Sequence, residues 1–139
     1  MRAVDVSGHL PPREPAAEPF WAGLAEGVLR LSGCDGCGTM ACPPESDPCP
    51  RCGQPATWRD MAGTARLWSW TTFHREYFAG YPLAPPYTVL MVELTEGVRM
   101  LATLPTDIDP ACLYCDQPMQ FRAFELEPGA SIPGFAPIS

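Results

Sequence analysis

The sequence predicts a mainly β protein with one short N-terminal helix, a cysteine-bearing ribbon and a small C-terminal barrel. Eighteen prolines among 139 residues limit helix and favour short strands joined by rigid connections. Two C-x2-C pairs, separated by eleven residues, mark a compact ribbon in the first half of the chain. About five apolar runs rich in aromatic and β-branched residues follow the second pair, and this composition favours strands.

Helical spacing of apolar residues occurs near residue 20. Phe20, Trp21 and Leu24 recur at this spacing, Pro19 suits the first turn, and Gly27 is expected to end the helix. Two interpretations of the large aromatic pair remain open. The side chains pack on the domain's own core, or they form a docking helix for another subunit.

The four cysteines of the ribbon carry the main chemical signal. Cys34, Cys37, Cys49 and Cys52 form two turns that each point two thiolates at one point, which completes a tetrahedral sulfur site. Four thiolates leave zinc no open position, so the one predicted zinc is structural and does not activate water. Two disulfides or unligated thiols are the alternative. The lack of an apolar leader favours a reducing cytoplasm and a metal.

After the ribbon the sequence changes to strand patterns. The runs are 57–60, 64–74, 87–94, 98–104 and 119–126, with a Thr-Glu-Gly hairpin turn between the third and fourth. Composition alone predicts a small β barrel or sandwich. A bend or bulge expected near Gly63 favours the partly open Greek-key barrel of the OB type.

Changes in composition divide the chain into five predicted units. The Pro- and charge-rich start and the Gly- and Pro-rich end lack periodicity. The units are an extended arm (1–18), the helix with a lead-in strand (19–32), the zinc ribbon (33–56), the OB-fold barrel (57–126) and a tail (127–139).

The charge of the chain excludes some function classes. The net charge is −7 and there is no Lys, which argues against a nucleic-acid backbone as partner and excludes a Lys nucleophile or a P-loop. No run approaches the roughly 20 apolar residues of a membrane span. We therefore expect a soluble, cytoplasmic protein without a nucleic-acid or membrane partner.

The order of motifs along the chain is specific. Besides the two cysteine pairs, the motifs are Pro19-Phe20-Trp21-Ala22-Gly23-Leu24, Gly63-Thr64, Ser69-Trp70-Thr71-Thr72-Phe73-His74-Arg75, Pro86-Tyr87-Thr88-Val89 and Glu96-Gly97-Val98-Arg99. Over roughly residues 18–126 the chain resembles the acyl-CoA-associated OB-fold proteins with a rubredoxin-like zinc ribbon. This family was long catalogued as a domain of unknown function.

The resemblance implies a helix, a rubredoxin-like zinc ribbon and a C-terminal OB barrel. It also implies a non-catalytic accessory subunit of a thiolase-like acyl-CoA enzyme, such as a thiolase, an aldolase or a condensing or acyl-transfer enzyme of lipid or polyketide metabolism. Other relatives accompany acyl-CoA hydratases. In such a hetero-oligomer the partner carries the chemistry, and this chain stabilises it and shapes the acyl-CoA site.

Two aromatic regions are the predicted contacts with the partner or with CoA. One is the start of the helix, and the other is the Pro-bounded loop after residue 74, whose aromatic content suits a partner surface. The alternative for His74, Arg75 and Glu76 is that they contact no ligand, and are a surface histidine beside a solvated Arg–Glu pair. The predicted contact residues are Phe20, Trp21, His74, Arg75, Tyr77, Phe78 and Tyr81.

No catalytic constellation is visible in the sequence. His74 is the only histidine in the region expected to fold, and no nucleophile can be tied to it. A single-stranded nucleic-acid-binding module and a self-contained acyl-CoA enzyme remain as alternatives. Cys112 and Cys115 form a third C-x2-C that departs from the family pattern. Local packing or a redox-sensitive thiol pair is expected there rather than a second metal.

Overall fold

The computed structural model describes residues 17–34, 36–37, 40–41, 53, 56–77, 81–128 and 130–138. These residues contain one α-helix, ten strands and a short 3₁₀ helix at Pro110–Cys112. The helix α1 spans Glu18–Glu26. The strands are β1 (Arg30–Cys34), β2 (Met40–Ala41), β3 (Ala56–Asp60), β4 (Thr64–Phe73), β5 (Tyr87–Leu94), β6 (Arg99–Thr103), β7 (Pro118–Phe121), β8 (Phe124–Glu127), β9 (Ala130–Ile132) and β10 (Phe135–Pro137).

The helix begins and ends where its local residues predict. Pro19 lies in the first turn, where a missing N–H costs no intrahelical bond. Gly27 closes the helix in the left-handed conformation at φ 80°, and its N–H donates to the Leu24 carbonyl over 3.1 Å. The chain then turns directly into β1, because the Val28 N–H donates to the Gly23 carbonyl over 2.8 Å.

A three-stranded antiparallel sheet in the order β2-β1-β3 carries the first cysteine pair. We call it the ribbon sheet. Its register pairs Arg30 with Asp60 at one end and Cys34 with Ala56 at the other. The Arg30 Nε donates to Asp60 Oδ1 over 2.7 Å, which fixes the end of the sheet next to the barrel.

The second sheet has five antiparallel strands in the order β10-β7-β4-β5-β6, and we call it the barrel sheet. A parallel bridge joins Thr103 of β6 to Gly134 before β10, and the Thr103 N–H donates to the Pro133 carbonyl over 2.9 Å. The two edges of the sheet therefore approach each other at one end, as in a partly open barrel. The mainly β fold class and the hairpin at Gly97 are confirmed.

Helix, ribbon sheet and barrel share one hydrophobic core. Phe20, Leu24 and Leu31 belong to the same buried cluster as Leu67 and Val92 of the barrel. A shared core removes more apolar surface from water than three small separate ones could. The ribbon is thus held against the end of the barrel.

The C-terminal part of the chain differs from the predicted tail. Residues 130–132 and 135–137 form β9 and β10, and Phe135 is fully buried with its ring edge-on to Phe121 at 5.8 Å. The strand predicted over 119–126 is divided into β7 and β8 at Arg122, whose N–H donates to the Gly134 carbonyl over 2.8 Å. Strands of three residues are too short to show an alternating pattern.

Within the residues described, no helix is both long and apolar enough to span a membrane.

Candidate metal centre and partner-contact surface

The first cysteine pair forms a turn suited to hold a metal. Cys34 is the last residue of β1 and is buried, whereas Cys37 is exposed. The Cys37 N–H donates to Cys34 Sγ over 3.4 Å, so the turn folds back on the first sulfur. A backbone donor on a sulfur stabilises its thiolate form, the form that binds zinc.

The chain returns to this turn after the second pair. β3 begins at Ala56, four residues after Cys52, and Ala56 pairs with Cys34 in the ribbon sheet. Cys49 and Cys52 lie outside the described residues, and among the residues described no three Cys, His, Asp or Glu side chains converge on a metal position. The donor set of the described half, two sulfurs on a C-x2-C turn, fits zinc.

An aromatic cluster forms around the start of the loop that follows β4. Phe73 stacks on Tyr87 with ring centroids 5.1 Å apart, and Tyr77 packs edge-on to Phe73 at 5.9 Å. Tyr81 comes back to Tyr87 at 5.2 Å from the other end of the loop. Burial raises the pKa of the Tyr87 phenol, and the neighbouring Tyr81 adds to the rise.

The predicted polar contacts lie at the edge of this cluster. His74 and Arg75 are both exposed, and the Arg75 guanidinium lies 5.2 Å from the centre of the Tyr77 ring. Tyr77 is 55% exposed, so the cluster presents an aromatic face with a cation beside it. Phe78, also predicted as a contact, lies outside the described residues.

The two aromatic residues of the helix, Phe20 and Trp21, differ in how far they are buried. Phe20 is 6% exposed and belongs to the core cluster. Trp21 is partly buried against that cluster and meets Phe20 edge-on at 5.0 Å. The packing interpretation therefore describes Phe20, and only Trp21 has surface left to offer a partner.

A cavity of about 390 Å³ opens beside the aromatic cluster, and no sequence pattern predicted it. Its lining includes the inward-facing hydroxyls of Thr72 and Thr88, 2.9 Å apart, which no motif distinguishes from ordinary strand threonines. Asp107 and Asp109 also line it. Both are engaged, the first with Arg122 at 3.2 Å and the second with the Ala111 N–H at 2.9 Å.

The third C-x2-C lies in an exposed loop. Cys112 and Cys115 are both exposed and not in a disulfide, so local packing does not account for them. The Gln117 side chain holds the loop, because it accepts from the Tyr114 N–H over 3.1 Å and donates to the Cys112 carbonyl over 3.4 Å. A redox-sensitive pair stays a prediction.

The described residues contain no assembled nucleophile and base. No hydrogen bond joins His74 to a serine, threonine or cysteine in this part of the chain, and its side chain lies in solvent. Nucleophilic catalysis needs that contact, or one that a bound substrate completes. The described surface offers an aromatic and cationic contact region at the end of β4. The ribbon separately offers a cysteine turn suited to a metal.

A cysteine ribbon that shares its core with a curled five-stranded barrel defines the class of zinc-ribbon and OB-fold proteins. Two family profiles match. Residues 21–57 match "ChsH2, rubredoxin-like zinc ribbon domain" and residues 58–124 match "ChsH2, C-terminal OB-fold domain". The chain belongs to this ChsH2 family.

A curated relative has a longer chain. The protein named "Probable enoyl-CoA hydratase alpha subunit" from Thermomonospora curvata is 31% identical over 121 residues, which are 85% of this chain and 36% of the relative. This chain thus spans about a third of that relative.

Two solved structures are similar. One, named "Ltp2-ChsH2(DUF35) aldolase", has a TM-score of 0.78 and 27% identity, and the match covers 91% of this chain and 98% of that one. The other is a protein of unknown function from the DUF35 family of Sulfolobus solfataricus, with a TM-score of 0.56 and 17% identity. That match covers 88% of this chain and 86% of that one, and it supports the fold alone.

Proposed function

We propose that the chain is a non-catalytic accessory subunit of an acyl-CoA-using enzyme. It binds a catalytic subunit in a hetero-oligomer, stabilises that subunit and shapes the entrance of its acyl-CoA site. The observation that carries the proposal is the match, over 91% of this chain and 98% of the other, to a chain of the Ltp2–ChsH2 aldolase structure. The name of that structure gives two proteins, Ltp2 and ChsH2, and one activity, aldolase, which supports a hetero-oligomer.

The hydratase subunit from Thermomonospora curvata gives a second line of support. There a segment similar to this chain occupies about a third of a protein named for an acyl-CoA reaction. We further propose that the catalytic partner is thiolase-like, which means a thiolase, an aldolase or an acyltransferase. The similarity to the aldolase structure supports this choice, and the hydratase name makes a hydratase the competing partner.

One structural zinc per chain is part of the proposal. Cys34 and Cys37 would hold it with Cys49 and Cys52, and four thiolates leave no position at which water could be activated. The zinc would fix the ribbon that packs on the barrel core. The division of the first 126 residues into arm, helix, ribbon and barrel also remains a prediction.

The predicted contact residues fit the rim of a CoA path. Arg75 is exposed beside Tyr77, so its guanidinium can form a charge-assisted hydrogen bond with a CoA phosphate. Tyr77 lies beside it, His74 precedes it in the chain, and Tyr81 belongs to the same aromatic cluster. Trp21 and Phe78 complete the proposed set. A CoA adenine could stack on an exposed ring of this kind.

The test is reconstitution. The chain is expressed with a tag in its native host, the co-purifying subunit is identified by mass spectrometry, and both are then made recombinantly. Aldol cleavage, thiolysis, acyl transfer and hydration of acyl-CoA substrates are measured for each subunit and for the complex.

We expect no turnover from this chain and higher activity or a higher melting temperature of the partner in the complex. Turnover by the pure chain alone, or a partner that does not use acyl-CoA, would contradict the proposal.

A further inference from the structure

The outward side of β4, β5 and β6 has apolar side chains that the core does not use. On β5, Leu90 and Val92 point into the core, so Val89, Met91 and Glu93 point to the opposite side. We call that side the outer face. Within the described part of the chain no helix or strand packs extensively against it.

The centre of the outer face is an apolar row. Met91 pairs with Leu101 on β6 and with Ser69 on β4, and Leu101 is 61% exposed. Trp68 lies beside this row at the bulge in β4 and is 44% exposed. A tryptophan and a leucine that remain this exposed on one face, with Met91 between their strands, mark an interaction surface rather than scattered surface residues.

Charged side chains border the row and neutralise one another. Arg66 and Arg99 both bind Glu93, at 2.9 and 3.1 Å, and Arg66 also meets Asp116 at 3.4 Å. Arg99 stacks over Trp68 with its guanidinium carbon 3.8 Å from the ring centre. This network has no net charge, although the chain as a whole carries −7. A nucleic acid or an anionic membrane would require unpaired cations here.

The free edge of β6 points to a polypeptide as the occupant. β6 is the outermost strand of the barrel sheet, and the Thr103 N–H turns away from β5 to reach Pro133. By the alternation of an antiparallel ladder, the N–H and C=O groups of Arg99 and Leu101 point the same way. Another chain satisfies such a row of donors and acceptors, whereas a lipid or a small apolar ligand does not.

We propose that the outer face, centred on Trp68, Met91 and Leu101, together with the free edge of β6 is the docking surface for the catalytic acyl-CoA enzyme subunit. The identity of the occupant rests on the proposed function. A second copy of the chain fits less well, because each copy carries a net charge of −7 and two copies repel each other. Trp68 capped by Arg99 is the expected anchor, since tryptophan and arginine dominate interface energies.

The experiment uses matched pairs of variants and the recombinant partner from the reconstitution. Leu101→Ser and Trp68→Ala change the face. Ile138→Ser and Tyr114→Ala change side chains that are 47% and 56% exposed elsewhere on the chain. Affinity is measured by calorimetry, and the melting temperature of each variant alone checks its folding. We expect each face variant to bind at least tenfold more weakly and each control to bind within about twofold of wild type.

The outcomes separate this inference from the proposed function. A complex that forms with unchanged affinity in both face variants overturns the docking surface and leaves the proposed function intact. An isolated chain that light scattering shows to be a dimer, and that Leu101→Ser makes monomeric, overturns the assignment of the occupant. If the wild-type chain binds no acyl-CoA enzyme subunit, the proposed function fails and this inference fails with it.

Discussion

Replacing Phe135 by alanine tests whether β10 is part of the barrel core. The side chain is fully buried and packs edge-on against Phe121. A phenylalanine buries roughly 200 Å², which at about 25 cal/mol per Å² gives about 5 kcal/mol. Measured Phe→Ala changes in cores cost about 3–5 kcal/mol because the cavity collapses only in part. This is a large part of the roughly 5–15 kcal/mol that stabilises a domain.

Urea unfolding followed by tryptophan fluorescence measures this loss, and a thermal melt should fall by roughly 10–20 °C. Phe135→Leu is the milder variant in case the alanine protein does not fold, with an expected cost of about 1.5 kcal/mol. Ile138→Ala, three residues on and 47% exposed, is the control and should stay within about 0.5 kcal/mol. A cost below about 1 kcal/mol for Phe135→Ala would show that the C-terminal strands do not complete the core.

Three further predictions follow from single residues. Cys49→Ser should lower zinc below one per chain in metal analysis and destabilise the ribbon, whereas full zinc with an unchanged melting curve would contradict the ligand set. Hydrogen bonds from Arg99 and then Arg66 hold the pKa of Glu93 below its usual 4.5. The stability it contributes is present above pH 4.5 and is lost as the pH falls through the lower folded-state pKa. Glu93→Gln should therefore show a shallower loss of melting temperature in acid than wild type, and equal slopes would refute the linkage. Gly97→Ala should cost about 1 kcal/mol in urea unfolding from left-handed strain alone, because φ is 92° and a Cβ there meets nothing within 4 Å. A neutral effect would mean that the turn relaxes.

Features that depend on neighbours in the chain could be predicted from the sequence. The helix is closed by Gly27 and the β5–β6 hairpin by Gly97, because each turn requires a backbone conformation that glycine adopts without strain. The turn of Cys34 and Cys37 has the same local origin, since its N–H···S bond spans three residues. The order of ribbon and barrel followed from the cysteine spacing and from the change to strand patterns after it.

The side of β4 that each tryptophan faces was decided at the level of tertiary structure. Alternation places Trp68 and Trp70 on the same side of a regular strand. The bulge between Leu67 and Ser69 shifts the register by one residue, so Trp70 packs against the core and Trp68 is left exposed. The pairing with β5 fixes that bulge, and no residue within β4 signals it.

The burial of two aromatic side chains also could not be predicted from the local sequence. The helical spacing that includes Phe20 suits either a core or a docking face, and the barrel packed against the helix determines that its ring is buried. Phe135 lies among glycines and prolines without any period, and its burial depends on Phe121, fourteen residues earlier, across the β7–β10 pairing. Local sequence was thus enough to predict the turns, the first cysteine turn and the fold class. Burial and exposure were decided by contacts between distant segments, because hydrophobic burial depends on which surfaces meet and not on the order of residues within one segment.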